Sequence, residues 1–112
     1  MANALIIFDG NGRLPQEVTF QSPTDGDVVF VLTGTAWTQN APTLIGIDLY
    51  LDDNAIGGAV VYANNNADHQ ALRTTFIPFS GLTVGEHTVT LQTSNPATTT
   101  DTNDYYQVVM LY

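Results

Sequence analysis

Aromatic residues beside amide-rich stretches are the clearest chemical signal in this chain. Trp37, the one tryptophan, precedes Thr38-Gln39-Asn40, and Tyr62 leads into Asn64-Asn65-Asn66-Ala67-Asp68-His69. Sugar faces are apolar C–H patches ringed by hydroxyls, so an aromatic platform bordered by planar amides and carboxylates suits them. Trp37, Tyr62, Asn64, Asn65, Asp68 and His69 are therefore the candidate ligand-binding residues. A blander reading stays open beside it. Tryptophan is often largely buried with its N–H near a partner, which would make Trp37 a core residue and the asparagines loop filler.

A second set of oxygens lies near the C-terminus. Asp101, Asn103 and Asp104 offer three ligands within four residues, which a hard cation such as calcium requires. Asp25/Asp27 and Asp52/Asp53 are further pairs. No glutamate stands at a bidentate spacing, and Asp and Asn also mark solvated turns in any β protein. No cofactor is expected, and Asp101, Asn103 and Asp104 are the calcium candidates if one binds.

Catalysis finds little support. Ser22, Ser80 and Ser94 lie outside any Gly-x-Ser-x-Gly elbow, and no phosphate loop, dinucleotide fingerprint or zinc spacing is present. Asp68-His69 is an acid/base pair by composition, but neighbouring strand residues point to opposite faces. The chain is expected not to be an enzyme.

Eleven acids against two bases, Arg13 and Arg73, give a formal net charge of −9 over 112 residues. Phosphate binding needs clustered cations, so nucleic acid and anionic membrane surfaces are excluded as partners. No stretch is apolar enough to span a membrane. Only 12% of residues are charged and there is no cysteine, so the surface is largely neutral-polar and no disulfide staples it. The N-terminus lacks the basic n-region of a signal peptide, so an extracellular or particle-associated location would need another export route. The length fits one domain, residues 1–112, with one core.

The elements that must position these residues are strands. Val18 and Phe20 alternate with Glu17, Thr19 and Gln21, and Ile45, Ile47, Leu49 and Leu51 alternate with Gly46, Asp48 and Tyr50. A period of two marks a half-buried strand. Asp9–Gly12 reads as a turn, Asp52-Asp53-Asn54 joins 44–51 to 57–63 as a hairpin, and 71–79 is a strand. Residues 76–82 and 86–91 read as a second hairpin, with the C-terminal run as its expected sheet partner. Residues 93–104 have no periodicity and read as a long exposed loop. No helical period appears. Eight or so short strands with Gly/Pro/Asn punctuation predict an all-β, antiparallel jelly-roll sandwich.

The run from Tyr105 to Tyr112 is apolar on both faces, apart from Gln107. An antiparallel strand normally keeps one face for water, so a second apolar face calls for cover. The expected cover is another subunit, with Tyr106, Val108, Met110 and Tyr112 at the interface.

The segments Leu49–Gly57, His69–Leu72, Phe79–Leu91 and Thr100–Tyr106, with the apolar final strand, resemble the small jelly rolls of the tumour-necrosis-factor and complement-globular-head superfamily, including short bacterial and phage versions. That resemblance covers about residues 17–112. It implies a homotrimer with terminal-strand side chains near the three-fold axis and a binding, not catalytic, role. Asp101, Asn103 and Asp104 also look similar to the loop of small calcium-dependent bacterial lectins. The expected function is a trimeric, lectin-like module for glycans or another cell-surface ligand. The alternative is a structural particle-surface or fibre-head module with no small ligand.

Overall fold

The computed structural model describes residues 3–112, so Met1 and Ala2, part of the segment read for a leader, lie outside it. Nine strands follow one another without a helix among the described residues: β1 (Ala4–Asn11), β2 (Gln16–Ser22), β3 (Gly26–Ala36), β4 (Thr43–Leu51), β5 (Asn54–Ala63), the two-residue β6 (Gln70–Ala71), β7 (Thr75–Leu82), β8 (Gly85–Thr93) and β9 (Tyr105–Leu111). They build two antiparallel sheets. One runs β1-β9-β3 and then to β7, with β6 on the far end of β3; the other runs β2-β8-β4-β5. Without the short β6, that is the interleaved order of a jelly roll, as the alternation predicted.

Between the sheets lies a dry core. Phe30, Leu32, Ile45, Ile47, Leu49, Val89, Leu91, Val108 and Met110 are fully enclosed. Each such side chain stabilises the fold by roughly 1.5–3 kcal/mol through the apolar surface it removes from water.

Three expectations are corrected here. β1 continues through Asp9 to Asn11 instead of turning at Asp9, because Asp9, Gly10 and Asn11 pair with Gln107, Tyr106 and Tyr105. The segments 76–82 and 86–91 are not a hairpin. β7 pairs with β3, β8 pairs with β2 and β4, and neither touches the C-terminal strand as a partner. Their connection crosses from one sheet to the other, as a jelly roll demands. Third, Tyr106, Val108 and Met110 do not form a subunit interface. They are 2%, 0% and 0% exposed, facing the other sheet, while Tyr112 is half-buried at the strand end. With both faces of β9 apolar, periodicity alone did not say which one points inward. Tyr106 also anchors its hydroxyl on the Gly12 carbonyl at 2.7 Å, and burial pushes its pKa up to about 12.

The 93–104 connection is not a free loop either. Ser94 N–H donates to the Gly46 carbonyl, the Gly46 N–H donates to Thr98 Oγ1, and Trp37 and Thr99 exchange backbone bonds. A Cβ on Gly46 would stand 2.6 Å from Ser94 Oγ, so glycine is required for this approach. Threonine hydroxyls here replace missing ladder bonds, which is why an aperiodic stretch is nevertheless pinned.

The predicted β4–β5 hairpin is present, with Asp52 and Asp53 both at positive φ. Asp52 fastens it to β8. Its Oδ2 lies 2.6 Å from His87 Nδ1, and its Oδ1 accepts from the Thr88 N–H. His87 Nε2 lies 2.7 Å from the Thr83 carbonyl. Both ring nitrogens therefore face acceptors, with Thr83 Oγ1 also 3.2 Å from Nε2, an arrangement that favours the doubly protonated ring. The Asp52 hydrogen bond raises the His87 pKa against the cost of partial burial, and the Thr83 carbonyl and the Asp52 charge add to the rise. Partial burial pushes Asp52 the other way, but His87 and the Thr88 N–H hold its carboxyl below 3.8.

The sign of the pH dependence follows. The His87 contribution is complete below its ordinary value of 6.5 and is lost as pH rises through the raised folded value. The Asp52 contribution is complete above 3.8 and is lost as pH falls through the depressed one. The urea midpoint is expected to drop as pH rises above 6.5 and through the raised His87 value. Asp52→Asn should remove the His87 share of that slope and leave the share of His69, whose pKa Asp104 raises. An unchanged slope in the variant would show that this contact does not set it.

Candidate functional site

The jelly roll offers two places where side-chain chemistry gathers: the end of the sandwich around Trp37, and the outer face of the four-stranded sheet.

At the end of the sandwich, Trp37 extends β3 and is half-buried. Its indole sits 5.7 Å from the His69 imidazole, tilted by 41°. The 38–41 and 64–69 loops are joined by Ala67 N–H to the Thr38 carbonyl and Ala41 N–H to Asn66 Oδ1. His69 Nδ1 is 2.7 Å from Asp104 Oδ1, and Nε2 is 3.8 Å from Asp101 Oδ2. So the structure brings Trp37 and His69 together with two of the calcium candidates, which lie more than thirty residues away in sequence. His69 pairs with Asp104, not with its neighbour Asp68.

The Asp104 carboxylate is fully buried and needs donors. It has them: Thr35 Oγ1, His69 Nδ1 and the Asp101 N–H. Asp101 Oδ1 in turn accepts from the Asn103 N–H, closing a turn. These carboxylate oxygens hold the chain together, and with His69 they also bring three ligand atoms within 4.8 Å of one another. The Asp104 hydrogen bond raises the His69 pKa, partial burial opposes it, and the Asp104 and Asp101 charges add to the rise. One atom is left over. The Trp37 Nε1–H is buried without an acceptor among the described residues, which costs roughly 1–3 kcal/mol.

Tyr62 does not join this cluster. It lies on the outer side of β5, opposite Leu44, and is 53% exposed. Asn64, Asn65 and Asp68 are exposed loop residues.

The second place is a groove of about 390 Å³ across β2, β8 and β4. Strand register puts Glu17, Thr90 and Tyr50 in one row across three strands, and Gln92 beside Asp48 in the next. Gln16, Pro15 and the hairpin residue Asp53 complete the lining. Thr90 Oγ1 lies 3.5 Å from Glu17 Oε2, and no cation stands beside Glu17 or Asp53 among the described residues. Burial raises the pKa of Asp48. An aromatic ring, two free carboxylates and two amides thus line one trough, all able to accept from or donate to hydroxyls. These residues were missed at the sequence level. The signal was there in the outward half of each alternation, Glu17/Thr19, Thr88/Thr90/Gln92 and Asp48/Tyr50, but only pairing shows that they converge.

No protein-family model and no curated protein matches this chain. Solved structures do. The dimeric latent PorU from Porphyromonas gingivalis matches with a TM-score of 0.55 and 13% identity, covering 96% of this chain and 11% of that one. The chain thus spans about a tenth of that protein's length. The CBM36-1 domain of a multidomain xylanase from the hindgut metagenome of Trinervitermes trinervoides matches with a TM-score of 0.50 and 16% identity, over 95% and 96% of the two chains. The EclA C-terminal domain, a sugar-binding protein, matches with a TM-score of 0.49 and 14% identity, over 96% and 76%. At these identities the likeness is one of fold. What the PorU and CBM36-1 structures share with this chain is the β-sandwich, and the likeness to the tumour-necrosis-factor and complement-globular-head superfamily rests on the sequence segments alone.

The Trp37–His69 contact provides an optical test. An imidazolium quenches indole emission more strongly than neutral imidazole does. Emission of the single tryptophan should therefore rise as pH climbs through the raised His69 pKa, and Asp104→Asn should move that step to lower pH. A flat emission profile would mean that His69 does not titrate against the indole.

Proposed function

We propose that this chain is a non-catalytic carbohydrate-binding module whose ligand lies in the groove across β2, β8 and β4. One observation carries the reading: the register row Glu17–Thr90–Tyr50, flanked by Gln92, Gln16 and Asp53, places an aromatic ring among hydroxyl-matching groups in a trough of pocket size. The Tyr50 ring takes the apolar face of a sugar, and the carboxylates and amides take its hydroxyls. Sharing a fold with the CBM36-1 domain of a xylanase is compatible with this reading. Neither histidine is placed for acid–base work in the groove: His87 has both nitrogens engaged, and His69 is tied to Asp104 at the sandwich end.

The charge pattern names the class of glycan. With free carboxylates and neither arginine in the lining, the groove favours neutral sugars and repels uronates. On an array of neutral oligosaccharides, wild type should bind while polygalacturonate stays blank. Tyr50→Ala should weaken binding in the groove at least tenfold, about 1.4 kcal/mol, without lowering the melting temperature. A blank array, or a groove affinity that Tyr50→Ala leaves unchanged in titration calorimetry, would sink the groove reading. If Trp37→Ala, still folded, is the variant that abolishes binding, the site moves to the sandwich end.

A second reading, self-association as a homotrimer or other assembly, rests on a different observation. The outer face of the five-stranded sheet carries an apolar row, Ile6, Val109, Val31 and Phe76, in direct cross-strand register. Ile6 and Phe76 are 60% and 62% exposed. Exposed apolar patches of this kind mark interaction surfaces. Assembly would use this face of β9, carrying Val109, and not the inward one. Light scattering should give a mass above 12 kDa for wild type and a smaller one for Val109→Asp. A 12 kDa wild type would end the assembly reading. Val108→Asp, by contrast, should unfold the protein, because it buries a charge in the core.

A further inference from the structure

We propose that the five-stranded sheet carries a second glycan site, on the opposite side of the sandwich from the groove, so that one chain holds two ligands. The inference rests on the carbohydrate reading above and extends it to a new place. Here too register assembles the chemistry. Asp9 on β1, Gln107 on β9 and Thr33 on β3 form one outward row, a carboxylate, an amide and a hydroxyl side by side. Adjacent strands stand about 4.8 Å apart, and residues two apart along a strand about 6.8 Å. Tyr105, two residues before Gln107 on the same face, is therefore within one sugar ring of all three. Its own side chain is 65% exposed.

Concavity comes from a chain crossing. After β6 the chain stays against β3, with the Leu72 N–H donating to the Gly34 carbonyl, and Ala71, Leu72 and Thr74 form a wall. The flat sheet face thereby becomes a depression of about 370 Å³. The buried Asp104 network gives the platform a fixed position. Thr35 Oγ1 donates to Asp104 Oδ1 and accepts the Tyr105 N–H at 3.1 Å. The residue immediately before the exposed ring is thus locked by three donors, and the ring's backbone by one acceptor. A preorganised platform loses little freedom on binding.

Both depressions combine one outward tyrosine, carboxylate, glutamine amide and threonine hydroxyl, and neither is lined by a cation. They select the same class of ligand, a neutral glycan. Because they lie on opposite sheets, one molecule can bridge two polysaccharide strands.

Titration calorimetry with the hexasaccharides of xylose, glucose and N-acetylglucosamine, each in turn, tests this. The expected stoichiometry for a bound hexasaccharide is two per wild-type chain. It should fall to one in Tyr105→Ala and one in Tyr50→Ala, with none in the double variant and unchanged melting temperatures for both single variants. Tyr105→Asp, which adds a charge where a ring should stack, serves as a second probe of the same position. One hexasaccharide per wild-type chain, untouched by both Tyr105 variants, would overturn the second site and leave the groove standing. No binding of any hexasaccharide would overturn both.

Discussion

Most consecutive strands of this chain belong to opposite sheets, and that constraint governs the rest. Apart from the β4–β5 hairpin and the short β6–β7 step, every connection must carry polar backbone across an open end of the sandwich. Backbone groups there have lost their ladder partners and are still partly buried, so side chains must supply the missing hydrogen bonds. Thr98, Thr100 and Asp104, all buried, do this between β8 and β9, and Thr100 Oγ1 also accepts the Leu14 N–H. Ser22 does it after β2, through Thr24. The abundance of threonine and short acids is a consequence of topology before it is a matter of function.

That view changes the meaning of the acidic pairs. Asp104 and Asp52 looked like cation ligands, and both turn out to receive several N–H and O–H donors from distant strands. Each also fixes a histidine. Asp104 contributes positional order, because a desolvated carboxylate tolerates few arrangements of its donors, while Asp52 makes its contacts with its side chain 47% exposed. Asp25 behaves alike, taking the Val84 N–H across the β7–β8 crossing. Among the carboxylates that no backbone N–H or cation engages, Glu17 and Asp53 line one depression and Asp9 the other.

The outer faces then divide into two kinds of surface. The four-stranded sheet presents polar rows around Tyr50, with Leu44, Val60 and Tyr62 exposed toward its β5 edge, whereas the five-stranded sheet pairs an apolar row through Val31 and Val109 with a polar one through Thr33 and Gln107. The second apolar face of the C-terminal strand is real, and it is the face of Val109 and Leu111. Hydrophobic alternation sets which residues share a side but carries no label for the side that meets the other sheet.

From the sequence alone came the all-β class and the sandwich of short antiparallel strands. Ile45 to Leu51 and Val18 to Phe20 alternate with a period of two, and no helical pattern competes, so local steric and burial preferences were enough. The Asp52-Asp53 turn was legible for the same local reason. Tertiary structure alone decided which strands pair, which face of β9 is inward, and that His69 meets Asp104 while Glu17, Thr90 and Tyr50 form one row. Those contacts join residues about thirty-five to seventy apart, so they depend on register, and register is chosen by the whole core at once rather than by any short stretch of chain.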